Sequence, residues 1–276
     1  MSWHGTLGLR YRRDGERCLA HDRHDGPLRV LKALYPEGPA ICHHVLVHPP
    51  GGIAGGDRLD IDVTVGEGAH ALITSAGAAR FYRSEEQAAA QSARLSLQAD
   101  ARLEWLPLES IAFPGCRAAN HVNFDLAHGA QCLGWDLLAL GLPAADQAFN
   151  RGWIEQQLRW PGVWLERGRI AADDTRLLDS ALGLAGQRAL GTVWFASHTP
   201  WTTAERDALL DAARDTCAAT ELAALSGATS PDARLIVLRV LAPRIEPLFL
   251  LMSSVRAAWR RIAWQYAAET PRVWRT

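Results

Sequence analysis

The residues best suited to chemistry are few and unevenly spread. The segment Cys42-His43-His44-Val45-Leu46-Val47-His48 gathers one thiol and three imidazoles. Read as a strand, it places Cys42, His44 and His48 on one face, because side chains alternate. At ~3.3 Å per residue the Cα atoms of His44 and His48 lie about 13 Å apart, too far to share one metal ion unless the chain bends between them. The other cysteines, Cys18, Cys116, Cys132 and Cys217, form no CxxC pair, and the total is odd. Neither a disulfide framework nor a zinc ribbon fits that spacing, whereas reduced thiols do. Lys32 is the only lysine, so 28 of the 29 basic residues are arginine. It follows no glycine loop, which excludes a phosphate-binding Walker loop, and Schiff-base or class A β-lactamase chemistry would have to run through that one side chain. No HExxH pattern and no GxSxG elbow occurs.

The densest glycine feature is His48-Pro49-Pro50-Gly51-Gly52-Ile53-Ala54-Gly55-Gly56-Asp57-Arg58-Leu59. Two glycine doublets just ahead of a strand ask for positive φ or very close backbone approach. A dinucleotide fingerprint needs GxGxxG between a strand and a helix, and neither condition holds. A sheet corner or bulge is the better local account. Further on, Arg80-Phe81-Tyr82-Arg83-Ser84 mixes two aromatics, two guanidiniums and a hydroxyl. Arg80, Tyr82 and Arg83 suit a protein interface. Alternatively, Phe81 is core and the arginines pair with Glu85 and Glu86.

The elements that must position these groups are mainly strands. Leu59, Ile61, Val63 and Val65 share one face opposite Asp60, Asp62 and Thr64, Glu67-Gly68 reads as a turn, and residues 71–74 return. Alternation recurs at 93–97, 103–106, 122–126, 131–138, 153–159, 163–170 and 192–196. Strands separated by Gly, Pro and short polar turns predict an all-β layered architecture, with no fixed-period repeat to choose a solenoid over a sandwich. Helix signals gather near the carboxyl end. Thr202-x-x-Glu205 is a capping box opening a helix to Leu225, with Gly227 as its stop and Leu209, Leu210, Ala213 and Cys217 on its buried face. After a strand over 235–241, a second helix runs from Glu246 to about Tyr266 with Pro247 in its first turn. On it, Arg256, Arg260 and Arg261 read as a solvated basic face.

The 276 residues carry 29 basic against 30 acidic side chains, a net charge of -1. That balance argues against a nucleic-acid binder. With 48% hydrophobic and 21% charged residues the chain is expected to fold, as one domain over 1–276. Trp (11) outnumbers Phe (6) and Tyr (4) together, an excess of residues favoured in β cores and at interface hot spots. The amino terminus has no apolar stretch of signal-peptide length, and the run Leu248–Met252 is far short of the ~20 residues of a membrane helix, so a cytoplasmic location is expected.

The segment His48–Leu59 resembles the signature of the UreD/UreH family of urease accessory proteins. Blocks resembling the same family follow in order: Ala71–Ser84, Glu104–Ser110, Gly134–Gly141, Trp164–Arg167 and Pro271–Thr276. Ala79-Arg80 stands where many members have Thr-Lys, which keeps the positive charge. The resemblance implies a β-helix-like fold with about two α-helices in the last third. It also implies a non-enzymatic factor that binds apo-urease and recruits UreF-type and UreG-type accessory proteins, the latter a GTPase. The resemblance implies no tightly bound cofactor; it implies nickel in transit, with an internal tunnel as its path. Carboxylates, imidazoles and water suit an ion that must both enter and leave. Of the acidic residues in or beside the matching blocks, Asp57, Asp62, Asp136 and Glu166 are the candidates for such a conduit, each with structural pairing as the alternative. Asp136, set in Gly-Trp-Asp-Leu-Leu, needs a partner if buried, because an isolated buried charge is costly. Trp274, in the last block, is expected to dock on the body or on a partner. The competing reading from another class is a metal-dependent all-β enzyme using His43, His44 and His48.

Overall fold

The structure, a computed structural model, describes residues 2–267 and 269–275. The chain opens with a hairpin of β1 (His4–Asp14) and β2 (Arg17–Asp25), then β3 (Arg29–Val30) and β4 (Ile41–Val47). There follow β5 (Arg58–Val65), β6 (His70–Ser75), β7 (Ala79–Phe81), β8 (Ala89–Leu97), β9 (Arg102–Leu106) and β10 (Ser110–Ala112). Next come β11 (Arg117–Leu126), β12 (Gln131–Leu142), β13 (Gln147–Ala148), β14 (Trp153–Trp160) and β15 (Trp164–Ala171). A short α1 (Thr175–Asp179) leads to β16 (Ala189–Ser197), α2 (Thr203–Ala218), β17 (Ser226–Asp232), β18 (Leu235–Ala242) and α3 (Ile245–Trp264).

These strands form two sheets, ordered β15-β14-β11-β8-β5-β1-β2 and β17-β18-β16-β12-β9-β6-β4-β3. From β5 to β12 the chain visits the sheets in turn, so the strands within each sheet are parallel and successive coils stack. The stack has a measurable period. Arg58 lies beside Ala90 and Ala90 beside Ala119, while on the other sheet His70 lies beside Arg102 and Arg102 beside Gln131, so each coil takes 32 or 29 residues. The corner between sheets repeats at the same spacing: Gly68, Asp100 and Gly129 all have positive φ, at 61°, 57° and 69°. The turn there takes the left-handed region, which glycine enters freely and aspartate tolerates. The mainly β, solenoid-like arrangement agrees with the fold that the family resemblance implied. The repeat escapes notice in the sequence because what recurs is backbone pairing, not residue identity. Antiparallel hairpins, β1–β2 and β14–β15, close the ends of the first sheet.

Two hydrophobic cores follow from two layers of contact. Leu59, Ile61, Leu95, Phe124 and Trp194 fill the space between the sheets. The outer face of the second sheet packs on α2 and α3 through residues such as Leu133, Trp135, Phe195 and Trp259. Strand β12 feeds both cores, which is why its sequence is a nearly continuous apolar run.

The helices differ from the sequence expectations in two respects. The capping box at Thr202 and Glu205 forms, and Leu209, Leu210, Ala213 and Cys217 are buried. However, α2 stops at Ala218, where the Thr220 hydroxyl donates to the Cys217 carbonyl at 2.9 Å, and Gly227 belongs to β17. The second correction concerns the basic face of α3. Arg256 and Arg260 are 1% and 0% exposed, not solvated. Arg256 Nε donates to Glu104 Oε2 at 2.7 Å, and Arg260 donates to Glu37 at 2.6 and 3.2 Å and lies 3.5 Å from Glu104 Oε1. The reason is that Glu104 points from β9 toward the helices and demands cationic partners there. Burial alone would raise Glu104's pKa; Arg256, the His70 imidazole and Arg260 outweigh it and hold the carboxyl well below the usual range.

Candidate functional site

The interior of a two-sheet coil is expected to be apolar, and most of it is. One exception is a row of amides. On the inward face of the first sheet, Gln91 of β8 lies beside Asn120 of β11, and Asn120 beside Gln156 of β14. Gln91 Nε2 donates to Asn120 Oδ1 at 3.3 Å, so Asn120 Nδ2 is left to donate to Asp136 Oδ1, also at 3.3 Å. Gln156 Nε2 donates to the other carboxylate oxygen at 2.7 Å. Asp136 reaches them from β12 across the gap between the sheets. Its partners are neutral, and no guanidinium or imidazole is paired with it among the described residues. Burial therefore dominates and, with the negative charge of Glu166 adding to it, pushes the Asp136 pKa up to about 7 against the hydrogen bond from Gln156.

Space lies on both sides of this carboxylate. A cavity of about 340 Å³ is lined by His48, Gly51, Arg80, Gln91, Asn120 and Asp136, among others. A second, of about 590 Å³, is lined by Asp136, Gln156, Glu166, Thr192 and Arg239. Asp136 is thus a wall of both. The first reaches the surface at exposed Gly51 and Arg80, and the second at exposed Arg239.

The other sequence candidates fall in different places. Glu166 of β15 lines the second cavity, where it accepts from Arg239 Nε at 3.0 Å and from the Thr192 hydroxyl at 3.4 Å. Asp57 lines neither cavity. Its two oxygens accept the Trp3 and Ala54 backbone N–H groups at 2.8 and 2.9 Å, which closes the glycine loop and ties it to the amino-terminal strand. Asp62 is on the outer face of the first sheet, paired with Arg94 at 2.7 Å. The structure therefore brings Asp136 and Glu166 to one cavity and leaves Asp57 and Asp62 outside it. The glycine doublets form a tight corner, as their spacing predicts. Gly51 and Gly56 have φ of 76° and 85°, while a Cβ on Gly52 would enter the Tyr82 ring.

Of the interface candidates, Arg80 is exposed at the first cavity, Tyr82 is 37% exposed and packs edge-on against Phe113, and Arg83 pairs with Glu85. Phe81 is core. Trp274 docks on the body: its Nε1 donates to the Thr74 hydroxyl at 2.8 Å and its ring meets Trp135 and Phe249, each at 5.2 Å.

The three histidines of the metal alternative are separated. His43 faces the helices and bonds Glu37 at 2.8 Å, His44 faces inward and bonds the Tyr11 hydroxyl at 2.7 Å, and only His48 lines a cavity. Burial lowers the pKa of both His44 and His48. No group of three or more His, Cys, Asp or Glu side chains among the described residues is arranged to hold a metal ion. The site can therefore offer weak oxygen ligands to a cation in passing but no closed cage.

The amide row was not singled out from the sequence, although it leaves a signal there. Gln91, Asn120 and Gln156 are polar residues at inward positions of otherwise apolar alternating runs, between Ala89 and Ala93, Ala118 and Val122, and Ile154 and Leu158.

Comparison with known proteins gives full-length matches. The family model described as UreD urease accessory protein matches residues 4–275. A urease accessory protein UreD from Leptothrix cholodnii is 56% identical over 278 residues, covering 100% of both chains. One from Variovorax paradoxus is 54% identical, also over 100% of both, and one from Polaromonas naphthalenivorans is 53% identical over 99% of both.

Proposed function

This chain belongs to the UreD family of urease accessory proteins, with a role in urease maturation, and from that premise we propose that it is a non-catalytic scaffold and metallochaperone. It binds apo-urease, recruits UreF-type and UreG-type partners in the cytoplasm, and passes nickel along its interior toward the enzyme's active site. Any GTP hydrolysis is the partner's, since this chain lacks a phosphate loop. In keeping with a soluble factor, no helix among the described residues is long and apolar enough to cross a membrane.

The observation that carries the relay is Asp136, a buried carboxylate that walls two cavities and has no cationic partner among the described residues. A carboxylate neutralised by arginine would have little field left for a divalent ion, whereas one held by amides has no fixed counter-ion, so a divalent ion that displaces its proton supplies the compensation. A single carboxylate with neutral oxygens around it binds weakly, which is what transit requires. Glu166, partly neutralised by Arg239, offers a second stop at the far cavity.

The test is co-production of this chain with apo-urease and the accessory proteins, leaving out each in turn, followed by activation with nickel and GTP. The proposal expects both complex formation and activation to need this chain, and expects Asp136→Ala to keep the complex while losing at least tenfold in activation rate. Equal activation without the chain sinks the scaffold, and full activation by Asp136→Ala sinks the relay.

A further inference from the structure

We infer that Gln91, Asn120 and Gln156 act as one positioning device for Asp136, holding its carboxylate at the boundary of the two cavities by neutral donors alone. The inference rests on the relay reading above and names what sets its central group. Three successive coils each place an amide at the same inward rung, so the row is built by the stacking register. Packing does not ask for it. The rung before it, on β5, carries Leu59, and an aliphatic side chain would fill the row without the cost of burying an amide. Nor are the amides independent. Gln91 occupies the Asn120 oxygen, which turns the Asn120 nitrogen toward Asp136, while Gln156 takes the other carboxylate oxygen. The row also spans the boundary: Gln91 and Asn120 line the first cavity and Gln156 the second.

Neutrality is the chemical point. An arginine or lysine at either position that touches Asp136, 120 or 156, would hold the carboxylate as well, and would also cancel the charge that attracts a divalent cation. Amide N–H groups fix the direction of the two oxygens without that loss. The expected consequence is a dependence on charge as well as on hydrogen bonding.

Three variants at one position separate these effects, each measured as the initial rate of urease activation at limiting and at saturating nickel in the co-produced complex. Gln156→Leu removes the donor and is expected to cost at least fivefold at limiting nickel, with most of the loss recovered at saturation. Gln156→His keeps a neutral N–H donor and is expected to recover at least half of the rate. Gln156→Lys keeps a donor but adds a cation, and is expected to fall as far as the leucine variant or further. Recovery of the complex and its melting temperature are followed throughout, and Gln91→Leu repeats the test from the far end of the row should Gln156→Leu fail to fold. Asp136→Ala runs alongside. If it is slow while Gln156→Leu is as fast as the unmodified chain, the positioning device is refuted and the relay stands. If lysine rescues as well as histidine, the neutrality argument is wrong. Full activation by Asp136→Ala would remove the relay and with it this inference.

Discussion

Glu104 and Asp136 lie on neighbouring strands of the same sheet, both are buried, and they face opposite ways. Glu104 points toward the helices and meets two guanidiniums and an imidazole, with Arg256 Nε at 2.7 Å, Arg260 at 3.5 Å and His70 at 3.4 Å. Asp136 points between the sheets and, among the described residues, hydrogen-bonds only to amides. The first region spends its charge on joining α3 and the loop carrying Glu37 to the sheet. The second leaves its charge uncompensated beside open space. Burial of a carboxylate therefore says little by itself; the sign and number of its partners separate a structural joint from a functional group.

The comparison breaks most sharply at Glu104. Replacing it with alanine leaves two buried guanidiniums without their shared carboxylate, and the expected loss is about 3–5 kcal/mol of folding stability. Urea denaturation measures it, and a loss below about 1 kcal/mol would show that the joint is dispensable. Activation of urease should fall with the amount of folded protein.

Asp136→Asn should do the reverse, abolishing most activation while keeping or raising stability. The pH dependence gives the sign. The folded pKa of Asp136 is raised from its ordinary 3.8 to about 7, so the folded state holds the proton more tightly than the unfolded chain. Stability is therefore lost as pH rises from about 4 to 7, and above that the cost is constant, up to about 4 kcal/mol. The asparagine variant should gain that much at pH 8 and nothing near pH 4. Glu104 slopes the other way. Its folded pKa is depressed below the ordinary 4.5, so its contribution is full above that value and is lost as pH falls further. Urea melts should show the gain of Asp136→Asn growing between about pH 4 and 7, and the loss of Glu104→Ala constant above about pH 4.5 and shrinking only below it; a Glu104→Ala difference that changes between about pH 5 and 8 would contradict the assignment.

Smaller effects should follow at the periphery. Trp274→Ala removes ring contacts with Trp135 and Phe249 and one hydrogen bond to Thr74, for an expected loss of about 2 kcal/mol in a thermal or urea melt. A variant as stable as the parent would mean that the tail's docking contributes nothing to the isolated chain. Asp62→Ala breaks one exposed pair with Arg94 and should change stability by less than about 0.5 kcal/mol, with activation unaltered. A strong activation defect there would return Asp62 to the conduit.

Much of the fold was legible because it is local. Strand alternation, the Thr202–Glu205 capping box and the glycine corner before β5 are set by neighbours a few residues away, where side-chain period and allowed φ act directly. The amino-terminal hairpin leaves little signal in the sequence, because β2 exposes most of its length and carries little apolar alternation. The coil period is hidden because backbone pairing recurs while residue identity does not, although Gly68, Asp100 and Gly129 mark it.

The site was legible only in part. Sequence alone determined which carboxylates exist, that Asp136 is flanked by apolar residues and so must find a partner if buried, and that the chain lacks the lysine loop and metal-cage spacings of other chemistries. Which partner each carboxylate found was decided by tertiary structure. Glu104 meets Arg256 across 152 residues of chain, and Asp136 meets Asn120 and Gln156 from opposing sheets. Charge compensation acts through space over a few ångströms, so it is fixed by which strands and helices come to lie side by side and not by the residues adjacent in the chain.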